Sequence, residues 1–280
     1  MTEEGEQTVS CGVLVGRAGI GCRERLVESK RTREGGQAAM PILGLCRRKF
    51  DELVSSHEFL GDEVEVVTAR PLTPEEAIGS PTRPDFPLLK GKEVMIQARF
   101  RESSGQAYTD MPAPFRGSLA DVMALPLETN FERAVFVATC NAVMRHLGLV
   151  DRTLHCRDNE PEECARLLCE HVSERFGSPP VAVIGLQPAI ISALAGRFRV
   201  RATDMDPANI GTFRQGVVIE SAERNHEIIE WADLVLSTGT VLANGTVEDV
   251  LSDKPTIFYG VTAAGPAKLI GYERFCPCSH

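Results

Sequence analysis

The stretch that most limits what this chain can fold into runs from Val181 to Gly211, VAVIGLQPAIISALAGRFRVRATDMDPANIG. Val181–Ile184 is a short β-branched apolar run after Pro179-Pro180, and Gly185 breaks it, which predicts a buried strand and a tight turn. Ala189–Leu194 reads as a short helix, and Phe198–Ala202 as a second strand that ends on Asp204 and Asp206. Those aspartates lie 19 and 21 residues beyond Gly185. That is near the spacing at which a mononucleotide-binding βαβ unit sets an acid against a ribose hydroxyl. The glycine fingerprint of such a unit is missing, because Gly185-Leu-Gln-Pro-Ala-Ile stands in its place. Pro188 also removes an N–H where a helix N-terminus would cradle phosphate. The stretch therefore specifies an architecture more firmly than a ligand.

The residues that follow repeat the alternation. A helix around Asn225–Ala232, a strand Asp233–Ser237, a loop Thr238–Thr246 and a short helix Val247–Leu251 lead to strand Thr256–Tyr259. The loop Gly260–Gly265 and helix Pro266–Ile270 precede a last segment, GYERFCPCSH. Upstream, Asn159 is placed to cap a helix through Phe176, with Glu162 at the capping-box position. This pattern predicts an α/β fold with a doubly wound parallel sheet in the second half.

The first half reads differently. Helix Pro41–Ser56, strand Glu63–Thr68, a capped turn at Thr73–Ile78 with Glu76, and a Pro-rich loop Gly79–Pro87 come first. A hairpin follows: Val94–Phe100, a turn at Glu102–Gly105, and Gln106–Thr109. Thr129 and Glu132 form a capping box that opens a helix over Asn130–His146, closed by Gly148. That helix is apolar nearly all round, so it is expected to be buried, with Asn141 as its one strongly polar interior side chain. The pattern predicts a smaller α+β domain over residues 40–152 ahead of a parallel-sheet domain over 153–280. Residues 1–39, with no sustained period, read as a poorly ordered extension.

Composition narrows the partners. A net charge of −9 argues against nucleic acid or an anionic membrane surface, and no apolar run is long enough to span a bilayer. The first residues lack a signal-peptide core, so a cytoplasmic location is expected, with self-association into a homo-oligomer left open. Nine cysteines, an odd number without framework spacing, point to free thiols.

Ligands of parallel sheets sit beyond the carboxyl ends of the strands. That rule selects Gly185, Gln187, Asp204, Asp206, Thr238, Gly239, Thr240, Asn244, Thr262 and Gly265. The Gly/Thr-rich loops could offer N–H groups and hydroxyls to an anion, although glycine alone also makes tight strand–helix turns. Soft-metal donors are His155 with Cys156, and Cys276, Cys278 and His280 near the end of the sequence. Neither set has C-x-x-C spacing, and Cys140, Cys164 and Cys169 lie on helices where packing explains them.

Several segments resemble an uncharacterised prokaryotic family whose suggested role is heavy-metal chelation. They are LTPEEAIGSPTRPDFPLLKGKE (72–93), GQAYTDMP (105–112), NFERAVFVATCNAVMRHLGL (130–149) and TLHCRD (153–158). GLQPA (185–189), ATDMDPANIG (202–211), LSTGTVLANGT (236–246), IFYGVTAAG (257–265) and ERFCP (273–277) continue the resemblance. It implies an enolase N-terminal-like domain followed by a Rossmann-like domain, with a ligand site in the cleft between them. It also draws attention to Gln106, Thr109, Asp110, Asn141, His155, Cys156 and Asp158 as cleft-facing residues. Two functions follow as expectations. The first is binding of a soft transition metal or a small metal-complexed anion. The second is an enzyme using a nucleotide-type cofactor, such as S-adenosylmethionine or a dinucleotide, with Asp204 or Asp206 on a ribose.

Overall fold

One buried helix lies between an antiparallel sheet and the helices that cover a parallel one. The computed structural model describes residues 41–67, 78–86 and 94–280. They fall within one compact unit, Met40–His280. The expectations for residues 1–39 and for the Thr73/Glu76 capping box lie outside the described residues.

The chain begins with α1 (Ile42–Ser56), then strands β1 (Glu63–Val67), β2 (Val94–Phe100), β3 (Ser103–Thr109) and β4 (Phe115–Ser118). These strands form an antiparallel sheet in the order β3-β2-β1-β4. The β2–β3 register runs from Val94 opposite Thr109 to Phe100 opposite Ser103. The turn is therefore tighter than the sequence suggested: Arg101 and Glu102 alone close it, with Arg101 at φ 51°. The helix α2 (Leu119–Ala124) follows β4.

The helix α3 (Asn130–His146) has the bounds its capping box predicts: Thr129 accepts from the Glu132 N–H and Glu132 accepts from the Thr129 N–H. Every residue from Ala134 to Met144 is buried. One side lies on β3, where a Cβ on Gly105 would stand 2.4 Å from the Ala142 nitrogen and 2.5 Å from the Ala138 oxygen. Only glycine permits that approach. The other side meets helices of the second half, which explains an all-round apolar sequence in a helix of a water-exposed protein.

The second half comprises α4 (Glu160–Phe176), β5 (Val181–Ile184), α5 (Pro188–Ala195), β6 (Val200–Asp204), β7 (Phe213–Arg214) and β8 (Val217–Ser221). It continues with α6 (Asn225–Trp231), β9 (Leu234–Thr238), α7 (Thr240–Asn244), β10 (Thr256–Tyr259), α8 (Ala264–Ile270) and β11 (Glu273–Arg274). Its seven-stranded sheet has the order β11-β10-β9-β5-β6-β8-β7. All pairings are parallel except the β7–β8 edge hairpin.

Residue alternation along the strands splits the core. Val181, Val183, Leu234, Leu236 and Ile257 pack with Leu168 and Val172 of α4 and Ile190, Ile191 and Leu194 of α5. Ala182, Ile184, Val235 and Phe258 join the cluster that contains α3, α6, α7 and α8. Helices thus cover both faces, the requirement for a parallel sheet buried on two sides.

Several local expectations are corrected. The strand expected at Phe198–Ala202 forms as Val200–Asp204. The loop expected at Thr238–Thr246 contains α7, and Gly260–Gly265 contains a 3-10 turn (Val261–Ala263) and the start of α8. Asn159 precedes α4 without a side-chain cap. Its amide oxygen is taken by the Thr82 N–H and hydroxyl at 3.1 and 3.0 Å, a tertiary contact that competes with capping.

Candidate functional site

The order of the parallel sheet reverses at β5. The chain moves from β5 to β6 on one side, then returns to β9 on the other. The crevice at such a switch point is where the carboxyl ends of β5 and β9 diverge. Gly185 sits there at φ 91°, and a Cβ on it would lie 2.7 Å from Thr238 Cγ2. The Tyr259 hydroxyl stands 2.8 Å from the carbonyls of both Ile184 and Gly185.

The amides of this crevice are already bonded. Gly185 N–H donates to the Thr203 carbonyl, and Gly239 N–H to that of Tyr259, each at 2.9 Å. Leu186 N–H donates to Asp204 Oδ2 at 2.8 Å, while Asp204 Oδ1 accepts from the Asp206 N–H and from Asn209 Nδ2. Asp204 thus ties the turn after β5 to the loop after β6. Asp206 accepts from the Ala208 N–H, and Gln187 caps α5 by accepting from the Ile190 N–H. Thr238 and Thr240 bond each other through their hydroxyls at 3.1 Å. Asn244 turns toward Met205 Sδ at 3.9 Å. A pocket beside the turn is lined by Asp85, Leu186, Pro188, Arg214 and Gln215. Arg83 grips Asp85 with two hydrogen bonds and holds its carboxyl below the usual range, helped by Gln215. Sequence reasoning noted the Arg83 loop but missed Arg214 and Gln215, which lie on the unexpected edge hairpin.

A second group of candidates gathers where β3 meets the loop after β10. Asn141 donates from Nδ2 to the carbonyls of Gln106, Val261 and Thr262 at 2.9, 3.1 and 3.3 Å. Its Oδ1 accepts from the Gly265 N–H at 2.6 Å. Thr262 Oγ1 accepts from the Tyr108 N–H at 3.2 Å. Gln106 bonds Gln97 through its amide nitrogen and accepts from the His155 N–H at 2.7 Å. The segment after α3 is laid along β3 by Gln106 N–H to the Thr153 carbonyl and by Thr153 Oγ1 to the Ser104 carbonyl. Thr109 is buried and accepts from the Met111 N–H. Asp110 and Asp158 are exposed: Asp110 accepts from Asn130, and Asp158 holds Ser80 N–H and the Ile78 carbonyl.

His155 is the odd member. Its ring meets Tyr108 edge-on at 5.8 Å, and its Nδ1 is sealed from solvent with no hydrogen-bond partner. Burial lowers its pKa to about 4, against a weaker pull from the Cys156 backbone and Glu160. The imidazole is therefore neutral at ordinary pH, the form that binds metals. Among the described residues, the other buried orphan is Thr139 Oγ1 in mid-α3.

Near Cys156 lies a concentration of thiols. Cys164, Val261 and Cys276 form a small buried cluster with Cys278 packed against it. Cys156 is buried close enough for Cys276 and Cys278 to disfavour its ionisation; burial is the larger reason its thiol is pushed up. Cys276 is pulled below the ordinary thiol value by a hydrogen bond from Cys164, with support from Ser279 and Arg274. Cys164 was read as packing alone, because nothing in its helical spacing announces the later segment that meets it. That segment is fixed by paired backbone bonds between Leu154 and His280 at 2.8 and 2.9 Å, and by His280 Nε2 to Glu160 at 2.9 Å. The two soft-donor sets of the sequence thus converge. Even so, among the described residues no three or more His, Cys, Asp or Glu side chains are placed together to hold a metal ion.

The molecule is accordingly a mixed α/β protein, with a parallel-rich sheet and a separate antiparallel sheet. Residues 168–264 match the family model described as DUF364, "Putative heavy-metal chelation". No curated protein matches. Among solved structures, a DUF364 protein of unknown function from Pyrococcus horikoshii is 14% identical, with a TM-score of 0.51, covering 79% of this chain and 80% of its own. Another from Desulfitobacterium hafniense is 15% identical, with a TM-score of 0.44 over 63% of this chain and 72% of its own. At such identity the Pyrococcus likeness concerns the fold alone. Among the described residues, no helix is long and apolar enough to cross a membrane.

Proposed function

We propose that the protein binds a soft heavy-metal ion carried in a small anionic complex. The ligand would lie between an enolase N-terminal-like half (40–152) and a Rossmann-like half (153–280). His155 and Cys156 are the protein's donors to the metal. The observation that carries this reading is the buried, unpartnered His155 Nδ1 on a neutral ring, one residue before the buried Cys156. Leaving a buried polar atom unbonded costs about 1–3 kcal/mol, and a ligand that meets it removes the cost. Two donors do not cage a bare ion, which suits a metal that arrives with part of its coordination shell. Imidazole and thiolate together favour soft metals, and Cys156 must lose its proton as the metal binds. The description of the matched family supports the same ligand class.

The reading as a nucleotide-cofactor enzyme draws less support. The Asp204 carboxylate is engaged by three protein donors, and the amides that would cradle a phosphate are bonded within the fold.

The test uses full-length reduced protein and Cd2+, supplied alone and as its cysteine complex, with retained metal measured after desalting. His155→Ala and Cys156→Ala should each lose one equivalent relative to wild type. Equal retention in the double variant, with an unchanged unfolding transition, would overturn the reading.

A further inference from the structure

Cysteines from two distant parts of the sequence meet at one point. Cys164 lies in the first turns of α4, while Cys276 and Cys278 follow β11. Cys164, Val261 and Cys276 form one buried cluster with Cys278 packed against it, and Cys164 is close enough to lower the pKa of the Cys276 thiol. We propose that Cys164 and Cys276 are a reversible dithiol–disulfide pair, which staples the segment after β11 to the start of α4. This assignment does not depend on metal binding.

The segment that carries Cys276 is held against the fold on both sides. Arg274 donates to the carbonyls of Arg152 and Asp151, and the Ser279 hydroxyl donates to the carbonyl of Cys276 at 2.7 Å. With the Leu154–His280 pairing, these bonds fix the segment on both sides of Cys276. A disulfide needs sulfurs about 2.05 Å apart with Cα atoms roughly 4.4–6.8 Å apart, a geometry that two cysteines of one small buried cluster are placed to reach. The competing pair Cys276 and Cys278 is separated only by Pro277, whose fixed φ resists the tight ring such a bond would close. Cys164 and Cys276 are 8% and 9% exposed, and Cys278 beside them is only partly buried. A small oxidant such as hydrogen peroxide can reach the cluster, whereas a bulky one cannot.

The chemistry balances with peroxide as oxidant. The Cys276 sulfur attacks one peroxide oxygen, the O–O bond breaks, and the other oxygen leaves as water, giving a sulfenic acid. The Cys164 sulfur then attacks the Cys276 sulfur. The S–S bond forms, the S–O bond breaks, and the hydroxyl leaves with the Cys164 proton as a second water. Two thiols and one peroxide yield one disulfide and two waters. An external dithiol reverses the step.

The experiment oxidises full-length reduced protein with hydrogen peroxide, blocks remaining thiols with N-ethylmaleimide, and maps a non-reduced tryptic digest by mass spectrometry. The expected product links DNEPEECAR (Asp158–Arg166) to FCPCSH (Phe275–His280). It should disappear with dithiothreitol, persist in Cys278→Ser, and vanish in Cys164→Ser, where Cys276 should instead be trapped by dimedone. In the wild-type digest, fragment ions that place N-ethylmaleimide on Cys278 of the linked FCPCSH decide even where a variant fails to fold. Both peptides fully alkylated, a link lost in Cys278→Ser, or the same link found only in a covalent dimer would each overturn the assignment.

Discussion

Asn141 and His155 are two polar side chains on one seam, and they are treated in opposite ways. Both sit where the antiparallel sheet meets the loop after β10. Asn141 is fully buried and spends both ends of its amide on four backbone groups from β3, the 3-10 turn after β10 and α8. His155 is held by its backbone to Gln106, yet its ring nitrogen Nδ1 meets nothing. A saturated buried amide fixes a unique arrangement of the groups around it. A buried imidazole nitrogen without a partner, on a ring kept neutral, is free to bond a ligand. The first holds elements of the fold together, and the second is the metal donor proposed above.

The largest effect should come from Asn141. Replacing it with Leu strands the Gly265 N–H and the carbonyls it served, and should lower unfolding free energy by about 3–5 kcal/mol in urea titration. A loss under about 1 kcal/mol would mean that the seam does not rely on this amide. Gly105→Ala probes the same seam through sterics. The added Cβ meets the α3 backbone at 2.4 Å and 2.5 Å, which side-chain movement cannot relieve. A loss of about 2–3 kcal/mol is expected, with the β3–α3 packing displaced.

His155 should be felt through pH. Its folded pKa lies near 4, below the ordinary 6.5, so the unfolded chain takes the proton first as pH falls. Its contribution is fully present above pH 6.5 and is lost progressively down to about 4. Between neutrality and the bottom of that window the loss is about 3 kcal/mol. His155→Gln should flatten this part of the stability–pH curve. An identical acid limb in the variant would show that another group sets it.

The contrast between these residues also marks what could be read in the sequence. Asn141 was legible as a buried amide that must be satisfied, and the resemblance set it facing the cleft; the backbone groups that satisfy it, 35 and 120 to 124 residues away, were not legible. The capping box at Thr129 and Glu132, the strand Val181–Ile184 and the strand Thr256–Tyr259 were likewise visible, since each is a local pattern. What escaped depends on distant chain. Asn159 did not cap α4 because Thr82, 77 residues away, took its oxygen. The β7–β8 hairpin escaped because Phe213 and Val218, opposite each other in register, are exposed at a sheet edge and leave no burial period. Cys164 shows packing spacing whether or not Cys276 reaches it. The candidate donors His155 and Cys156 were legible as residue types, whereas their burial and the missing partner of Nδ1 were not.

The most direct measurement follows the imidazole nitrogens of the six histidines by NMR in 15N-histidine-labelled protein as Cd2+ with cysteine is added. Metal capture at this site should move the Nδ1 resonance of one ring, absent in His155→Gln, in proportion to bound metal. Stoichiometric metal uptake with the His155 resonances unmoved would contradict it.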